Sequence, residues 1–192
     1  MGRPGDQSPR APTRGGQGAP APNVLVLMGV TGVGKTTVGI ALAERLGWEF
    51  QEGDLLHPAA NVAKMRSGVP LTDEDRWPWL RTIAGVIDRW RAEGRRGIVT
   101  CSALKRAYRR IIVGDRADVR LIHLTGPEPV IAGRLAARRG HYMPPGLLPS
   151  QLAVLEPPGE DERPVTVSLD QPVDAIVEQI VGALGLAQAD AG

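Results

Sequence analysis

The chain has 192 residues, 42% of them hydrophobic, with 23 lysines and arginines against 21 aspartates and glutamates. This length suits one domain, and a formal net charge of +2 argues against nucleic-acid binding through bulk electrostatics. No apolar run approaches the roughly 20 residues of a membrane-spanning helix. The single cysteine, Cys101, cannot form an internal disulfide, and no signal-peptide core is visible, so we expect a cytoplasmic protein.

Residues 1–22 are rich in Gly, Pro, Arg, Gln and Ser and lack apolar periodicity. Such a segment cannot bury enough surface to offset the entropy of ordering, so a disordered tail is expected. The alternative is an organelle transit peptide, although its Pro and Gly content disfavours the amphipathic helix that such peptides form. We expect a single folded domain at residues 23–186 and a frayed tail at 187–192.

A predicted strand at residues 24–27 and a predicted helix at 38–46 flank a glycine-rich loop that fits G-x-x-x-x-G-K-[ST]. Its glycines let successive backbone N–H groups and the positive end of the helix face one anion. This pattern predicts a site for nucleotide phosphates, in which Lys35 reaches the β- and γ-phosphates and Thr36 binds Mg²⁺. The residues expected to hold the nucleotide here are Gly29, Val30, Thr31, Gly32, Val33, Gly34, Lys35, Thr36 and Thr37.

The next predicted strand, residues 48–51, is followed at once by Glu52-Gly53-Asp54. Open α/β sheets bind ligands at the carboxyl ends of their strands, so these carboxylates belong to the ligand edge. Asp54 is suited to accept the proton of a substrate hydroxyl, and Glu52 to hold Mg²⁺ through water. The alternative for Asp54 is to cap the helix predicted at 59–66, a role that His57 could also take.

The remaining elements alternate along the chain. Thr72 and Asp75 fit a capping box before a helix that extends to about residue 92 with an apolar stripe. Strands are predicted at 96–101, 119–124 and 165–169, and helices at 102–113, 125–138, 149–156 and 173–184. Residues 139–148 are rich in Pro and Gly and lie within a predicted mobile lid, about 134–160. This order implies a parallel sheet with helices on both faces.

A phosphate loop alone does not separate kinases from switches or motors, so function depends on the other motifs. These are Gly53-Asp54-x-x-His57-Pro58, Asn61-x-x-Lys64-Met65-x-x-Gly68-x-Pro70-Leu71-x-Asp73-x-Asp75-Arg76-x-Pro78-Trp79-Leu80, Cys101-Ser102-Ala103-Leu104-Lys105, Arg134-Leu135-x-x-Arg138-x-Gly140-His141-Tyr142-Met143, Ser150-Gln151-Leu152 and Asp161-Glu162. With this order and spacing, the chain resembles the gluconokinases over about residues 23–182.

The resemblance implies transfer of the γ-phosphate of ATP to the 6-hydroxyl of D-gluconate, which gives 6-phosphogluconate for sugar-acid catabolism and the pentose phosphate route. It also implies a three-layer α/β/α phosphate-loop kinase fold whose five-stranded parallel sheet has the order 2-3-1-4-5. ATP and Mg²⁺ are the implied cofactors, and a homodimer is the implied assembly.

Gluconate carries a carboxylate and several hydroxyls, which require a cation and hydrogen-bond donors. The candidate ligands besides Asp54 are His57, Lys64, Arg76, Lys105 and His141. Arg76 and Lys105 are favoured because both stand in motifs shared with the family, although either could be only a surface ion-pair partner. His123, inside a predicted strand, is expected to be a packed structural residue.

Arg134 and Arg138 are four residues apart and therefore share a helix face. By resemblance to related kinases, we assign Arg134 to the adenine and Arg138 to the transferring phosphate, as an arginine finger from the same chain. The alternative is a solvated basic face. Lys35, Asp54 and Arg138 are thus the expected catalytic residues.

Three other functions compete with this interpretation. The nearest is another kinase of the same fold, acting on shikimate, a nucleoside monophosphate or a different sugar acid. A nucleotide-dependent switch is disfavoured because no N-K-x-D motif for guanine is present. A nucleic-acid-binding module would use the basic cluster of the 102–113 helix, for which a solvated helix face is the simpler explanation. That cluster comprises Lys105, Arg106, Arg109 and Arg110.

Overall fold

The computed structural model describes residues 21–137 and 147–186. In these ranges five strands form one sheet in the order β2-β3-β1-β4-β5, and every neighbouring pair is parallel. The strands are β1 (Val24–Met28), β2 (Glu49–Gln51), β3 (Gly97–Thr100), β4 (Val119–Thr125) and β5 (Val165–Ser168). The fold and strand order implied by the family resemblance are confirmed. The two predicted tails fall mostly outside the described ranges.

Seven α-helices connect or follow these strands within the described ranges. They are α1 (Lys35–Leu46), α2 (Ala59–Arg66), α3 (Asp73–Ala92), α4 (Arg106–Ile112), α5 (Glu128–Ala137), α6 (Leu147–Val154) and α7 (Val173–Leu184). Two 3₁₀ turns, Gly53–Leu56 and Glu160–Glu162, were not expected from the sequence. Every helix in the described ranges is too short or too polar to cross a bilayer.

The sheet is covered on both faces because alternate residues of β1 face two separate cores. Leu25 and Leu27 pack with residues of α1 and α7, whereas Val26 and Met28 pack with residues of α3 and α4. All five residues of β1 are fully buried, as expected for the central strand of a parallel sheet. This arrangement confirms the three-layer α/β/α architecture.

Helix α3 forms as its sequence predicts. The Thr72 hydroxyl accepts a hydrogen bond from the Asp75 N–H at 3.3 Å, and the Asp75 carboxylate accepts one from the Thr72 N–H at 2.9 Å. The apolar stripe faces the sheet, and all its members except Val86 are buried. They are Trp79, Leu80, Ile83, Ile87 and Trp90.

The carboxyl ends of β1, β2 and β3 meet at one edge of the sheet and bring three connecting segments together. The Cys101 N–H donates to the Leu27 carbonyl at 3.0 Å, and the Gly29 N–H donates to the Ser102 carbonyl at 3.3 Å. The phosphate loop therefore lies beside the segment that follows β3. This edge of the sheet carries the candidate site.

Candidate active site

The phosphate loop closes tightly against its neighbours, and its glycines allow this. Gly29, Gly32 and Gly34 have φ angles of 142°, 86° and 90°, in the region that side chains disfavour. A Cβ atom on Gly29 would stand 2.5 Å from the Leu124 carbonyl oxygen, and one on Gly32 would stand 2.7 Å from Leu135 Cγ. The loop conformation therefore needs glycine at both of these positions.

Lys35 bends back over the loop that precedes it. Its Nζ donates hydrogen bonds to the carbonyls of Gly29, at 2.9 Å, and Val30, at 3.1 Å. These contacts hold the ammonium group against the carbonyls at the start of the loop. The predicted role of Lys35 at the β- and γ-phosphates stays a prediction.

Glu52 links the phosphate loop to the strands beside it. Its Oε2 accepts a hydrogen bond from the Thr36 hydroxyl at 2.6 Å, and its Oε1 accepts one from the Thr100 hydroxyl. The Thr100 Oγ1 also accepts a hydrogen bond from the Gly53 N–H at 3.0 Å. A threonine hydroxyl and a carboxylate in contact are hard oxygen donors of the kind that suit Mg²⁺. Among the described residues, no group of three or more His, Cys, Asp or Glu side chains is arranged to hold a metal.

Helix α6 reaches the phosphate loop through Gln151. The Thr31 N–H, within the loop, donates to the Gln151 side-chain oxygen at 2.7 Å. Gln151 stands in a motif shared with the family, but the sequence alone predicts no role for it. Its contact shows that α6, which lies within the predicted lid, touches the loop directly.

A cavity of about 220 Å³ lies beside the loop. Its lining comes from the loop and the start of α1, the 3₁₀ turn after β2, α2, the α2–α3 connection, α3, the segment after β3, α4 and α6. Six predicted site residues line it, whereas Lys64 does not. These six are Thr31, Lys35, Asp54, His57, Arg76 and Lys105. The structure therefore brings the predicted base, the phosphate-loop lysine and both favoured cations to one cavity.

The two favoured cations have different partners. Lys105 Nζ binds both carboxylate oxygens of Asp73, at 2.8 and 2.9 Å. The Tyr108 hydroxyl donates to the same carboxylate at 2.5 Å. The guanidinium of Arg76 lies 5.8 Å from the centre of the Tyr108 ring and pairs with no carboxylate of the described residues. Arg76 is therefore the cation whose charge is less compensated.

These contacts also shift pKa values within the cavity. Hydrogen bonds from Lys105 and Tyr108 hold the pKa of Asp73 below its usual value. Burial and the hydrogen bond to Asp73 raise the pKa of Tyr108 to about 12. Asp73 thus stays ionised and Tyr108 stays protonated at neutral pH. The sequence alone predicts no role at the site for either residue.

His57 is held in a fixed orientation. Its ring stacks on Trp79 with centroids 4.0 Å apart, and the Asn61 amide lies 3.4 Å from Nδ1. Burial and the nearby charge of Arg76 lower the pKa of His57 to about 4, so the ring is neutral at pH 7. Because the Asn61 N–H donates to Nδ1, the ring proton resides on Nε2.

Helix α2 resolves the alternatives that the sequence left open for Asp54 and His57. Its N-cap residue is Pro58, and among the described residues neither the Asp54 nor the His57 side chain has a hydrogen bond to a backbone N–H of its first turn. Capping α2 is therefore not the role of either residue. Both line the cavity instead.

Lys64 pairs with Asp75 at 2.7 Å and lies outside the lining of the cavity. Because Asp75 also belongs to the capping box of α3, this ion pair joins α2 to the first turn of α3. The same turn of α3 carries Asp73 and ends near Arg76. The observed contact of Lys64 thus supports the position of neighbouring site residues.

Arg134 belongs to α5, and its side chain lies beside the phosphate loop. Its Nη2 donates to the Leu169 carbonyl at 2.9 Å, and its Nη1 would be 3.8 Å from a Cβ atom on Gly34. The guanidinium therefore lies between the loop and the end of β5. Arg138 and His141, predicted to contact phosphate and substrate, lie outside the described residues.

The basic cluster of α4 is not simply a solvated face, and Arg109 corrects that interpretation. Its side chain is 1% exposed, and it binds Glu162 through two hydrogen bonds of 2.6 and 2.9 Å. It also donates to the carbonyls of Ala103, Leu104 and Glu156. Arg109 therefore joins α4 to the segment after β3 and to the segment after α6. His123, in contrast, is buried in β4 as expected.

Several known proteins similar to this chain are kinases. A gluconokinase of Gluconobacter oxydans is 49% identical over 160 residues, which cover 83% of this chain and 90% of the relative. The crystal structure of a sugar kinase from Janibacter is 45% identical with a TM-score of 0.81, and the alignment covers 86% of this chain and 96% of the other. No protein-family model matches the chain.

A crystal structure of a gluconokinase from Sinorhizobium meliloti is 43% identical to this chain, with a TM-score of 0.76, over 86% of this chain and 93% of the other. Identity at this level over nearly the whole of each relative extends well beyond the phosphate loop. Together with the phosphate loop and the cavity beside it, these similarities show that the chain belongs to the gluconokinase family.

Proposed function

We propose that this protein transfers the γ-phosphate of ATP to the 6-hydroxyl of D-gluconate, which yields 6-phospho-D-gluconate and ADP. The observation that carries the proposal is the shared cavity, in which Lys35, Asp54 and Arg76 face one space. A phosphate-binding lysine, a carboxylate and a cation with little compensation are the groups that this transfer needs. Membership of the gluconokinase family supports the choice of substrate.

In the proposed mechanism the residues of the phosphate loop, from Gly29 to Thr37, bind the phosphates of ATP. Lys35 leaves the loop carbonyls to neutralise the β- and γ-phosphates. Arg134 lies over the adenine, and its position between the loop and β5 supports this role. Arg138 stabilises the transferring phosphate, as the family resemblance implies.

Mg²⁺ is part of the proposal, with Thr36 and Glu52 as its protein contacts. The metal would neutralise charge on the phosphates. Thr36 offers its hydroxyl, and Glu52 acts through water. Their contact at 2.6 Å supports a shared site at the end of the loop.

On the acceptor side, Asp54 orients the 6-hydroxyl and accepts its proton. Arg76 binds the carboxylate of gluconate, and Lys105 assists while it is held by Asp73. The Nε2–H of His57 donates to a hydroxyl of the substrate. Lys64 acts by holding the first turn of α3, and His141 contributes from the predicted lid.

Phosphoryl transfer proceeds through a loose transition state, so alignment and charge neutralisation supply most of the catalysis. In the proposed reaction, Asp54 fixes the attacking oxygen while Lys35 and Arg138 stabilise the charge on the moving group. Closure of the predicted lid, about residues 134–160, would exclude water and limit hydrolysis of ATP. The contact of Gln151 with the phosphate loop supports a role of this segment at the site.

We also propose a cytoplasmic homodimer that serves sugar-acid catabolism and the pentose phosphate route. The folded kinase domain would span residues 23–186, with the predicted disordered tail at 1–22 and the predicted frayed tail at 187–192. These proposals follow from the composition of the chain and from the family resemblance. Sedimentation analysis would test the dimer.

The direct test is to measure ADP release with Mg²⁺-ATP and a panel of acceptors: D-gluconate, other sugar acids, shikimate and AMP. The wild type is compared with Lys35→Met, which removes the ammonium group but keeps a long side chain. We expect rapid turnover with gluconate that falls about 10²- to 10³-fold in the variant. Equal ADP release without an acceptor, or turnover only with another acceptor, would show that the proposed substrate is wrong.

A further inference from the structure

A second cavity, of about 420 Å³, lies away from the phosphate loop. Its lining includes Val119 and Arg120, at the amino end of β4, whereas the proposed reaction takes place at the carboxyl ends of the strands. The end of α4 and the Glu160–Glu162 turn complete its walls. None of the residues assigned to ATP or gluconate lines this cavity.

The lining of the second cavity is strongly basic, with six arginines and three carboxylates among the described residues. Three of the arginines are compensated by ion pairs. These pairs are Arg106–Asp161, Arg109–Glu162 and Arg116–Asp88. The other three, Arg110, Arg120 and Arg163, pair with no carboxylate of the described residues. The remaining carboxylate, Asp115, is exposed and makes no ion pair within the described ranges.

Two of the uncompensated arginines lie at neighbouring strand starts. Arg120 lies near the start of β4, Arg163 lies just before β5, and Ile122 of β4 is opposite Val165, the first residue of β5. Both arginines line the cavity. Partial burial and then the charge of Arg163 lower the pKa of Arg120. Adjacent like charges are unfavourable unless an anion compensates them.

The backbone at Arg163 adds a second observation. This residue has φ 47° and ψ 50°, a left-handed conformation that glycine would adopt more readily. Local backbone preference therefore does not explain an arginine at this position. A binding role for its side chain would.

We propose that this second cavity binds a small multivalent anion that carries phosphate groups, held by Arg110, Arg120 and Arg163. Guanidinium groups bind phosphate oxygens through paired, charge-assisted hydrogen bonds. A volume of about 420 Å³ is in the usual range for small-molecule sites. The ligand is either an inorganic polyphosphate or a phosphate monoester, which share this chemistry.

The test is isothermal titration calorimetry of the full chain carrying Lys35→Met, without nucleotide or divalent cations, so that binding of the probes at the phosphate loop is weakened while the second cavity is unchanged. Inorganic pyrophosphate is the probe for an inorganic polyphosphate, and 3-phosphoglycerate is the probe for a phosphate monoester. We expect saturable binding of at least one probe, with one site per chain. Arg120→Gln and Arg163→Gln should each weaken it about tenfold.

Arg81→Gln is the matched control, because Arg81 is exposed on α3 and lines neither cavity. It should change the affinity less than twofold. Absence of saturable binding, or equal weakening by Arg81→Gln, would overturn the proposal. Thermal unfolding of each variant shows whether it folds. Arg163 is exposed, so Arg163→Gln is expected to fold. That variant therefore still tests the proposal if Arg120→Gln unfolds.

Discussion

The phosphate loop and the acceptor cavity beside it are built in different ways. The loop is one short stretch of chain, and its shape depends on glycines at 29, 32 and 34 and on backbone N–H groups. The acceptor cavity is formed by residues from several segments that are distant in the sequence. The nucleotide site is thus encoded locally, whereas the choice of acceptor depends on residues that only the fold brings together.

Within the acceptor cavity, Arg76 and Lys105 differ in how far a neighbouring carboxylate compensates their charge. Lys105 is engaged by Asp73, but Arg76 pairs with no carboxylate of the described residues. A charge already paired contributes less to binding a further anion than one that is not. We therefore expect Arg76 to contribute more than Lys105 to the recognition of the gluconate carboxylate.

The largest effect is expected from Asp54→Asn, which preserves shape but removes the base. The kcat for gluconate should fall about 10²- to 10⁴-fold, with little change in KM, because the proton of the attacking hydroxyl loses its acceptor. Steady-state kinetics measure both constants. Asp115→Asn, at an exposed site far from the loop, is the control. A kcat within threefold of wild type would exclude Asp54 as the base.

Arg76→Gln tests the comparison of the two cations. The kcat/KM for gluconate should fall about 10- to 100-fold, because a charge-assisted contact with the substrate is lost. Lys105→Gln should have a smaller effect. Lys64→Gln, whose ion pair lies outside the cavity, should stay within threefold. A larger loss in Lys64→Gln than in Arg76→Gln would reverse the assignment of these residues.

Glu52→Gln tests whether the edge of the phosphate loop holds the metal. The concentration of Mg²⁺ needed for half-maximal activity should rise about tenfold, because outer contacts of this kind orient the ligands of a metal. Titration of Mg²⁺ at saturating ATP and gluconate measures the shift. Glu44→Gln, at an exposed position of α1, should leave it unchanged. An unaltered Mg²⁺ requirement in Glu52→Gln would remove Glu52 from the metal site.

The smallest effect concerns His57 and the pH dependence of stability. Its pKa is about 4 in the folded chain and 6.5 without perturbation, so the unfolded chain binds more protons between these values. His57 therefore does not lower the free energy of unfolding above pH 6.5, but it lowers that free energy as the pH falls towards 4. After allowance for partial exposure of the ring, the loss is about 1–2 kcal/mol.

Urea unfolding at pH 7 and pH 4.5 measures this loss for the wild type and for His57→Gln. The change in unfolding free energy between the two pH values should be smaller in the variant by about 1 kcal/mol. The depressed pKa values of Asp73 and Asp75 affect both proteins alike. Identical pH dependence in the two proteins would show that His57 is not buried as a neutral ring.

Local sequence signals were sufficient for most of the fold. The capping box at Thr72 and the apolar stripe of α3 predicted that helix to within a residue, since both signals act within a few turns. Strand positions followed from short apolar runs. The 3₁₀ turn Gly53–Leu56 was missed because its shape depends on the Trp79 indole N–H, which donates to the Gly53 carbonyl at 2.8 Å.

The site was less predictable because its side chains contact residues that are distant in the sequence. Lys64 and Lys105 look alike in sequence, but the packing of α2 and α4 against α3 gives them Asp75 and Asp73. Tyr108 could have been found, since it lies three residues after Lys105 on one helix face. Burial of Arg109 depends on Glu162, 53 residues away, and no local pattern predicts it.

The proposed transfer to the 6-hydroxyl is tested most directly by identifying the bond that forms. The wild type is incubated with Mg²⁺-ATP and D-gluconate, and the product is examined by phosphorus–proton correlation NMR. We expect one new phosphate ester, whose phosphorus couples to the two methylene protons at carbon 6. Coupling to a single methine proton, or release of inorganic phosphate with gluconate unchanged, would contradict it.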